Sequence, residues 1–163
     1  MANTEKNTKK TIFRGVATAL ITPMDENGVN SEQLGRLIDW QIEKGINALV
    51  ICGTTGESST MTDDEHRNVI EYAVKRAAGR VPVIAGAGST DTAYAKDLIR
   101  CAAASGADAM LVVTPYYNKA TQNGLIRMFT DLADYSPKPI ILYNVPSRTG
   151  SNIEPATYEA LAD

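Results

Sequence analysis

The sequence predicts an α/β fold, an incomplete (β/α)8 TIM barrel with the first five strands and about four and a half helices. Three observations predict it. Short apolar runs alternate five times with segments of helical periodicity, as in parallel strands joined by right-handed crossovers. Polar loops follow strands one, two, four and five, which gathers hydroxyls and a guanidinium at the end of the sheet where a barrel builds its site. A doubly wound sheet shares the alternation but concentrates its site at one switch point. No GxGxxG or GxxxxGKS/T loop marks such a point, because Gly86-Ala87-Gly88 lacks the third glycine.

The elements follow in order. Gly15 to Pro23 reads as strand one, ended by proline, with Asp25-Glu26-Asn27-Gly28 as its turn. Ser31 is the expected cap of helix one, whose apolar positions Leu34, Leu37, Ile38 and Ile42 recur at helical spacing up to Lys44-Gly45. Ala48 to Cys52 is strand two, a continuous apolar run suited to burial on both faces. Thr62, with Glu65 three residues on, forms a capping box for helix two, and Gly79 is its expected stop. Val81 to Gly86 is strand three, Asp91 to Ser105 helix three, Ala109 to Val113 strand four, Thr121 to Tyr135 helix four and Pro139 to Tyr143 strand five. A last helix starts near Glu154.

Composition excludes several classes. With 44% hydrophobic residues, the 163-residue chain can build a core, yet a complete barrel takes roughly 250 residues. Sixteen basic against nineteen acidic residues leave a net charge of −3, which offers no field for nucleic acid or an anionic membrane. Residues 1–10 are polar and lysine-bearing and read as a flexible tail before a partial-barrel domain over 11–163; no signal or membrane-spanning run follows, so a cytoplasmic location is expected. Cys52 and Cys101 sit among apolar neighbours and read as small buried thiols rather than a disulfide or metal site.

Three loops carry candidate chemistry. Gly53-Thr54-Thr55-Gly56 offers closely spaced amides that can hold a carboxylate, although a tight polar turn uses the same residues. Glu57 is expected to bond neighbouring loop amides. Pro115 fixes where Tyr116 and Tyr117 emerge; they read either as interface or core aromatics or as hydroxyls in a proton relay. Tyr143 ends strand five, and Arg148 follows in a loop held by Pro146 and Gly150, where a guanidinium can grip a carboxylate with two parallel bonds. His66 reads as a surface or interface residue.

The GTTGES loop with Thr62-Asp63-Asp64-Glu65-His66, the VTPYYNKATQNG segment and the LYNVPSRTG segment together resemble the 4-hydroxy-tetrahydrodipicolinate synthase (dihydrodipicolinate synthase) family over Phe13 to Asp163. Any one of them alone would indicate only the wider pyruvate-aldolase superfamily. The resemblance implies a class I aldolase-like lyase that condenses pyruvate with aspartate 4-semialdehyde through a lysine Schiff base, in lysine and diaminopimelate biosynthesis, without metal or cofactor. It implies Thr55 and its neighbouring amides on the pyruvate carboxylate, Thr54, Tyr117 and Tyr143 as proton relay, and Arg148 on the carboxylate of the semialdehyde. It also implies a homo-oligomer, a homotetramer at full length, with Tyr117 reaching across a tight dimer interface. N-acetylneuraminate lyase shares the glycine-rich loop and the strand-five tyrosine, but the NVPSRTG arginine segment favours the synthase.

The family's Schiff-base lysine lies at the end of strand six, past the last residue of this chain, so the chain is expected to be an inactive fragment. None of its own lysines is expected to substitute. Lys44, Lys75 and Lys96 fall on helices, Lys138 at the wrong end of strand five, Lys6, Lys9 and Lys10 in the tail, and Lys119 in a polar loop. An unprotonated amine needs a desolvated site. A non-catalytic half-barrel that binds carboxylates or associates with intact subunits is the alternative. Ser58, Ser59, His66 and Tyr116 resemble parts of the family's lysine-feedback site, whereas Thr90 and Tyr94 stand where sensitive members carry asparagine and glutamate, so weak or absent inhibition is expected.

Overall fold

Alternation along each apolar run sorts its residues onto two faces, and the two faces meet different partners. The computed structural model describes residues 11–162, so the expected tail at 1–10 lies outside the described residues. Strand β1 (Ala17–Ala19) is followed by a two-residue ribbon, β2 (Met24–Asp25) with β3 (Gly28–Val29), and then by α1 (Ser31–Glu43). Next come β4 (Ala48–Ile51), α2 (Asp63–Ala77), β5 (Val83–Gly86), α3 (Thr92–Ser105), β6 (Ala109–Val113), α4 (Gln122–Tyr135) and β7 (Ile140–Tyr143). A short helix α5 (Pro146–Thr149) and α6 (Pro155–Ala162) end the described chain.

The main sheet has the order β1-β4-β5-β6-β7, every pair parallel, each strand beside the one that precedes it in this set. Leu49, Ile51, Val83, Ala85, Met110 and Val112 face the helices and join their buried residues in one core. The alternate residues Ala48, Ile84 and Ala109 face the other way, with Val50, Leu111 and Ile141 half-buried around them and Phe13 packed on the same face. Helices therefore cover one face only. A doubly wound sheet covers both and reverses its strand order, so this sheet is the wall of a barrel.

Each helix is fixed by its apolar stripe. In α4, Leu125, Phe129 and Leu132 are buried at helical spacing, and each such side chain stabilises the fold by roughly 1.5–3 kcal/mol relative to exposure. Adjacent helices are also bridged: Asp39 of α1 takes Arg80 at 2.7 Å and Arg76 from the α2 side, Arg67 of α2 meets Asp97 of α3 at 2.6 Å, and Lys96 of α3 meets Asp131 of α4 at 2.7 Å. No helix among the described residues is long and apolar enough to cross a membrane.

Several boundaries differ from expectation for physical reasons. Asn30, not Ser31, caps α1, its side chain accepting from the Gln33 amide at 3.0 Å, because Ser31 already has helical geometry. The Thr62–Glu65 capping box is present, but α2 stops at Ala78 in a left-handed conformation (φ 48°), one residue before Gly79. Cys52 lies outside β4 with φ 56°. It is buried, while Cys101 is only half-buried.

Candidate active site

The carboxyl end of β4 begins with the left-handed turn at Cys52, after which Thr54–Gly56 forms one tight 3-10 turn and Ser58–Thr60 another, separated by Glu57 at φ 56°. Within the first turn the Gly56 amide donates to the Gly53 carbonyl at 3.0 Å and the Glu57 amide to that of Thr54 at 3.1 Å. The amides of Thr54 and Thr55 have no acceptor among the described residues, which leaves two adjacent donors for an anion. From β1's loop, the buried Thr22 hydroxyl donates to the Gly56 carbonyl at 2.8 Å and holds the turn from behind. Glu57 departs from expectation. Its side chain is exposed and bonds no loop amide; its backbone does the local bonding, the amide donating to Thr54 and the carbonyl accepting from Thr60.

At the end of β7 the LYNVPSRTG segment is more ordered than a loop. Pro146 opens α5 at its first turn, where a missing N–H costs nothing, and Gly150 at φ 64° closes it. The Asn144 side chain donates to Asn152 at 2.8 Å and accepts from the Ile153 amide at 3.1 Å, which ties both ends of the segment together. Arg148 is thereby carried on a short rigid helix, exposed and without an ion pair among the described residues.

A cavity of about 400 Å³ is lined by residues of both parts, among them Thr54, Ser58, Ser59, His66, Tyr116 and Arg148. Next to it a recess of about 50 Å³ holds Thr54 and Tyr143 with Cys52, Gly86 and Leu111. The structure thus brings together Thr54, Tyr143 and Arg148 from the substrate-handling set and Ser58, Ser59, His66 and Tyr116 from the feedback set. Thr55 lines neither space; it is exposed beside its amide. Tyr117 lies outside both and is 91% exposed, Tyr116 46%. No hydrogen bond links Thr54, Tyr143 and Tyr117 among the described residues, and neither tyrosine of the pair is a core aromatic.

His66 is the clearest correction. It is buried, not on the surface, and its Nε2 lies 2.8 Å from the Gly86 carbonyl. A carbonyl only accepts, so in the neutral ring Nε2 carries the proton and Nδ1 is bare. Burial holds its pKa below the usual histidine value, against the opposing pull of the Gly86 carbonyl and Asp63. A pair that the sequence did not suggest also lines the larger cavity: the Tyr94 hydroxyl donates to Asp63 at 2.7 Å. Burial, then the neighbouring Asp63 carboxylate, pushes the Tyr94 phenol up to about 12. These residues are 31 positions apart, and only the packing of α3 on α2 joins them.

None of the described lysines lines either space. Lys75 and Lys96 are paired with Glu71 and Asp131 on the helices, and the exposed Lys119 side chain lies along Gly150.

The sequence model of the dihydrodipicolinate synthetase family matches residues 12–163. A 4-hydroxy-tetrahydrodipicolinate synthase from Acetivibrio thermocellus is 56% identical over 155 residues, which are 95% of this chain and 53% of the relative. Among solved structures, dihydrodipicolinate synthase from Aquifex aeolicus is 51% identical with a TM-score of 0.90, over 92% of this chain and 51% of that one. The chloride-inhibited dihydrodipicolinate synthase from Acinetobacter baumannii, complexed with pyruvate, is 45% identical with a TM-score of 0.91, over 94% and 53%. The chain spans about half the length of the relatives it matches. A one-face helical layer, sequential parallel strands and polar turns at their carboxyl ends agree with these likenesses along nearly the whole sequence, and the chain belongs to the dihydrodipicolinate synthetase family.

Proposed function

We propose that residues 11–163 form the N-terminal part of the barrel of a cytoplasmic 4-hydroxy-tetrahydrodipicolinate synthase, and that this part supplies the binding and proton-handling groups for condensing pyruvate with aspartate 4-semialdehyde. The observation that carries the reading is the cavity lined by both Thr54 and an unpaired Arg148, with no lysine among the lining residues. The Thr54 and Thr55 amides hold the pyruvate carboxylate. A lysine amine contributed from a sixth strand attacks the pyruvate ketone and forms the Schiff base with loss of water. Removal of a methyl proton then gives an enamine, whose carbon bonds to the aldehyde carbon of the second substrate. Thr54 and Tyr143 move protons in these steps, joined by Tyr117 of a neighbouring subunit in a homotetramer, a role that suits the 91% exposure of Tyr117 in the single chain. Arg148 grips the carboxylate of the semialdehyde.

By itself the 163-residue chain lacks the nucleophile and is inactive. Treatment with pyruvate and borohydride, followed by intact-mass measurement, is expected to leave it unmodified. A chimera in which the Acetivibrio thermocellus relative supplies the sixth strand and all that follows is expected to carry one reduced pyruvate per chain. A stoichiometric adduct on the short chain, or a folded chimera that traps no pyruvate, would overturn the reading.

A further inference from the structure

The backbone of Cys52 is strained at the entrance to the site, as that of Glu57 is further along the same loop. The Cys52 φ of 56° is a conformation that few residues other than glycine adopt, and it falls at the junction between β4 and the Gly53–Gly56 turn. Directly beneath it lies Gly86, the last residue of β5. A Cβ added to Gly86 would stand 2.0 Å from the Cys52 carbonyl oxygen, 2.6 Å from its carbonyl carbon and 3.1 Å from the Gly53 nitrogen. All three are backbone atoms of one peptide group, so no side-chain movement can make room. That peptide crosses flat over a bare Cα, an approach open only to glycine.

The crossing is gripped from the helix layer as well. His66 Nε2 bonds the Gly86 carbonyl at 2.8 Å, which fixes the lower residue, and the Cys52 thiol lies 3.8 Å from the His66 carbonyl, which fixes the upper one. Two residues after Cys52 the Thr54 and Thr55 amides begin. Their direction is set by the angle at which the chain leaves the crossing.

We infer that Cys52 and Gly86 are positioning residues for the carboxylate cradle, acting through the crossing of the Cys52–Gly53 peptide over Gly86. Neither touches substrate. The left-handed turn at Cys52 sets the direction in which the two free amides leave the strand, and the missing side chain at Gly86 lets that turn sit low enough for Thr54 to share a recess with Tyr143. The inference rests on the proposed carboxylate-binding role of the Thr54 and Thr55 amides.

The test uses the 163-residue chain, labelled with 15N and titrated with pyruvate into the millimolar range, with the Thr54 and Thr55 amide shifts as readout. Cys52→Gly accepts the left-handed conformation without strain and gives up only the thiol contact with the His66 carbonyl, so it is expected to lose less pyruvate affinity than Cys52→Val. Cys52→Val stays apolar, adds about one methyl group and resists that conformation, and its pyruvate affinity is expected to fall about ten-fold. Gly86→Ala is expected to lose at least as much; should it not fold, the two Cys52 variants decide alone. A folded Cys52→Val with parental pyruvate affinity and parental Thr54 and Thr55 shifts would overturn the inference, even if its melting temperature falls. A parent chain whose amides ignore pyruvate would instead sink the carboxylate role; the positioning claim would then stand or fall on whether Cys52→Val moves the ligand-free Thr55 amide shift and Cys52→Gly restores it.

Discussion

At the single buried histidine, charge and burial are in conflict. The His66 ring sits neutral in the folded chain because burial disfavours its cation, whereas in the unfolded chain it takes up a proton near 6.5. Below that pH the unfolded state therefore binds more protons, and stability is lost as pH falls through 6.5 towards the depressed native value. The carboxylates of Glu65, Asp39 and Asp97 are held below their ordinary range, by Thr62 for Glu65, by Arg80 then Arg76 for Asp39 and chiefly by Arg100 for Asp97, so their contributions are lost only in more acid solution. Melting temperature followed from about pH 7 to 5 is expected to fall for the parent and to stay flatter for His66→Gln, whose amide can still donate to Gly86. Equal slopes would contradict a buried neutral ring. The burial was open to a sequence reading, since His66 precedes Val69, Ile70 and Ala73 on one helical stripe. Its lone polar character argued the other way. That Thr54 and Arg148 line one cavity was legible because each follows a strand end, where barrel chemistry gathers. The Asp63–Tyr94 bond was not, because no local pattern encodes which helix faces pair.

Among the elements, strands and helices were legible from period, and helix ends from capping chemistry, with errors of one or two residues where two capping groups adjoin; strand one, read as Gly15 to Pro23, spans only Ala17–Ala19. Asn30 and Ser31 are such a pair. Asn30→Ala is expected to cost about 1 kcal/mol, since it removes the acceptor of the Gln33 amide, whereas Ser31→Ala is expected to stay within about 0.5 kcal/mol. Thermal melts of both variants distinguish the two positions, and a larger loss at Ser31 would reverse the assignment. Helix α5 escaped the sequence reading because four residues are too few to show periodicity, although Pro146 and Gly150 marked both its ends. The strain at Cys52 escaped for another reason: a residue with a Cβ in a left-handed conformation leaves no mark on composition.

For the molecule as a whole, the helix layer is joined by ion pairs that each connect consecutive helices, with Asp39 meeting two guanidiniums at once. These groups are half-buried or exposed, none fully buried, so salt reaches and screens them. Asp39→Asn is expected to lower the melting temperature at low ionic strength, and the difference from the parent is expected to shrink as salt is raised. A difference independent of salt would assign the effect to packing. The barrel character was legible in outline from loop placement, but the single-face helix layer needed the strand order that only folding reveals. That order has a further consequence in time. Each strand pairs with the preceding wall strand, and each helix bridge reaches only to the next helix, so among the described residues no strand pairing or helix bridge waits for a distant part of the chain. As on a repeat array, a βα unit can dock when it leaves the ribosome, and the wall can grow in the direction of synthesis.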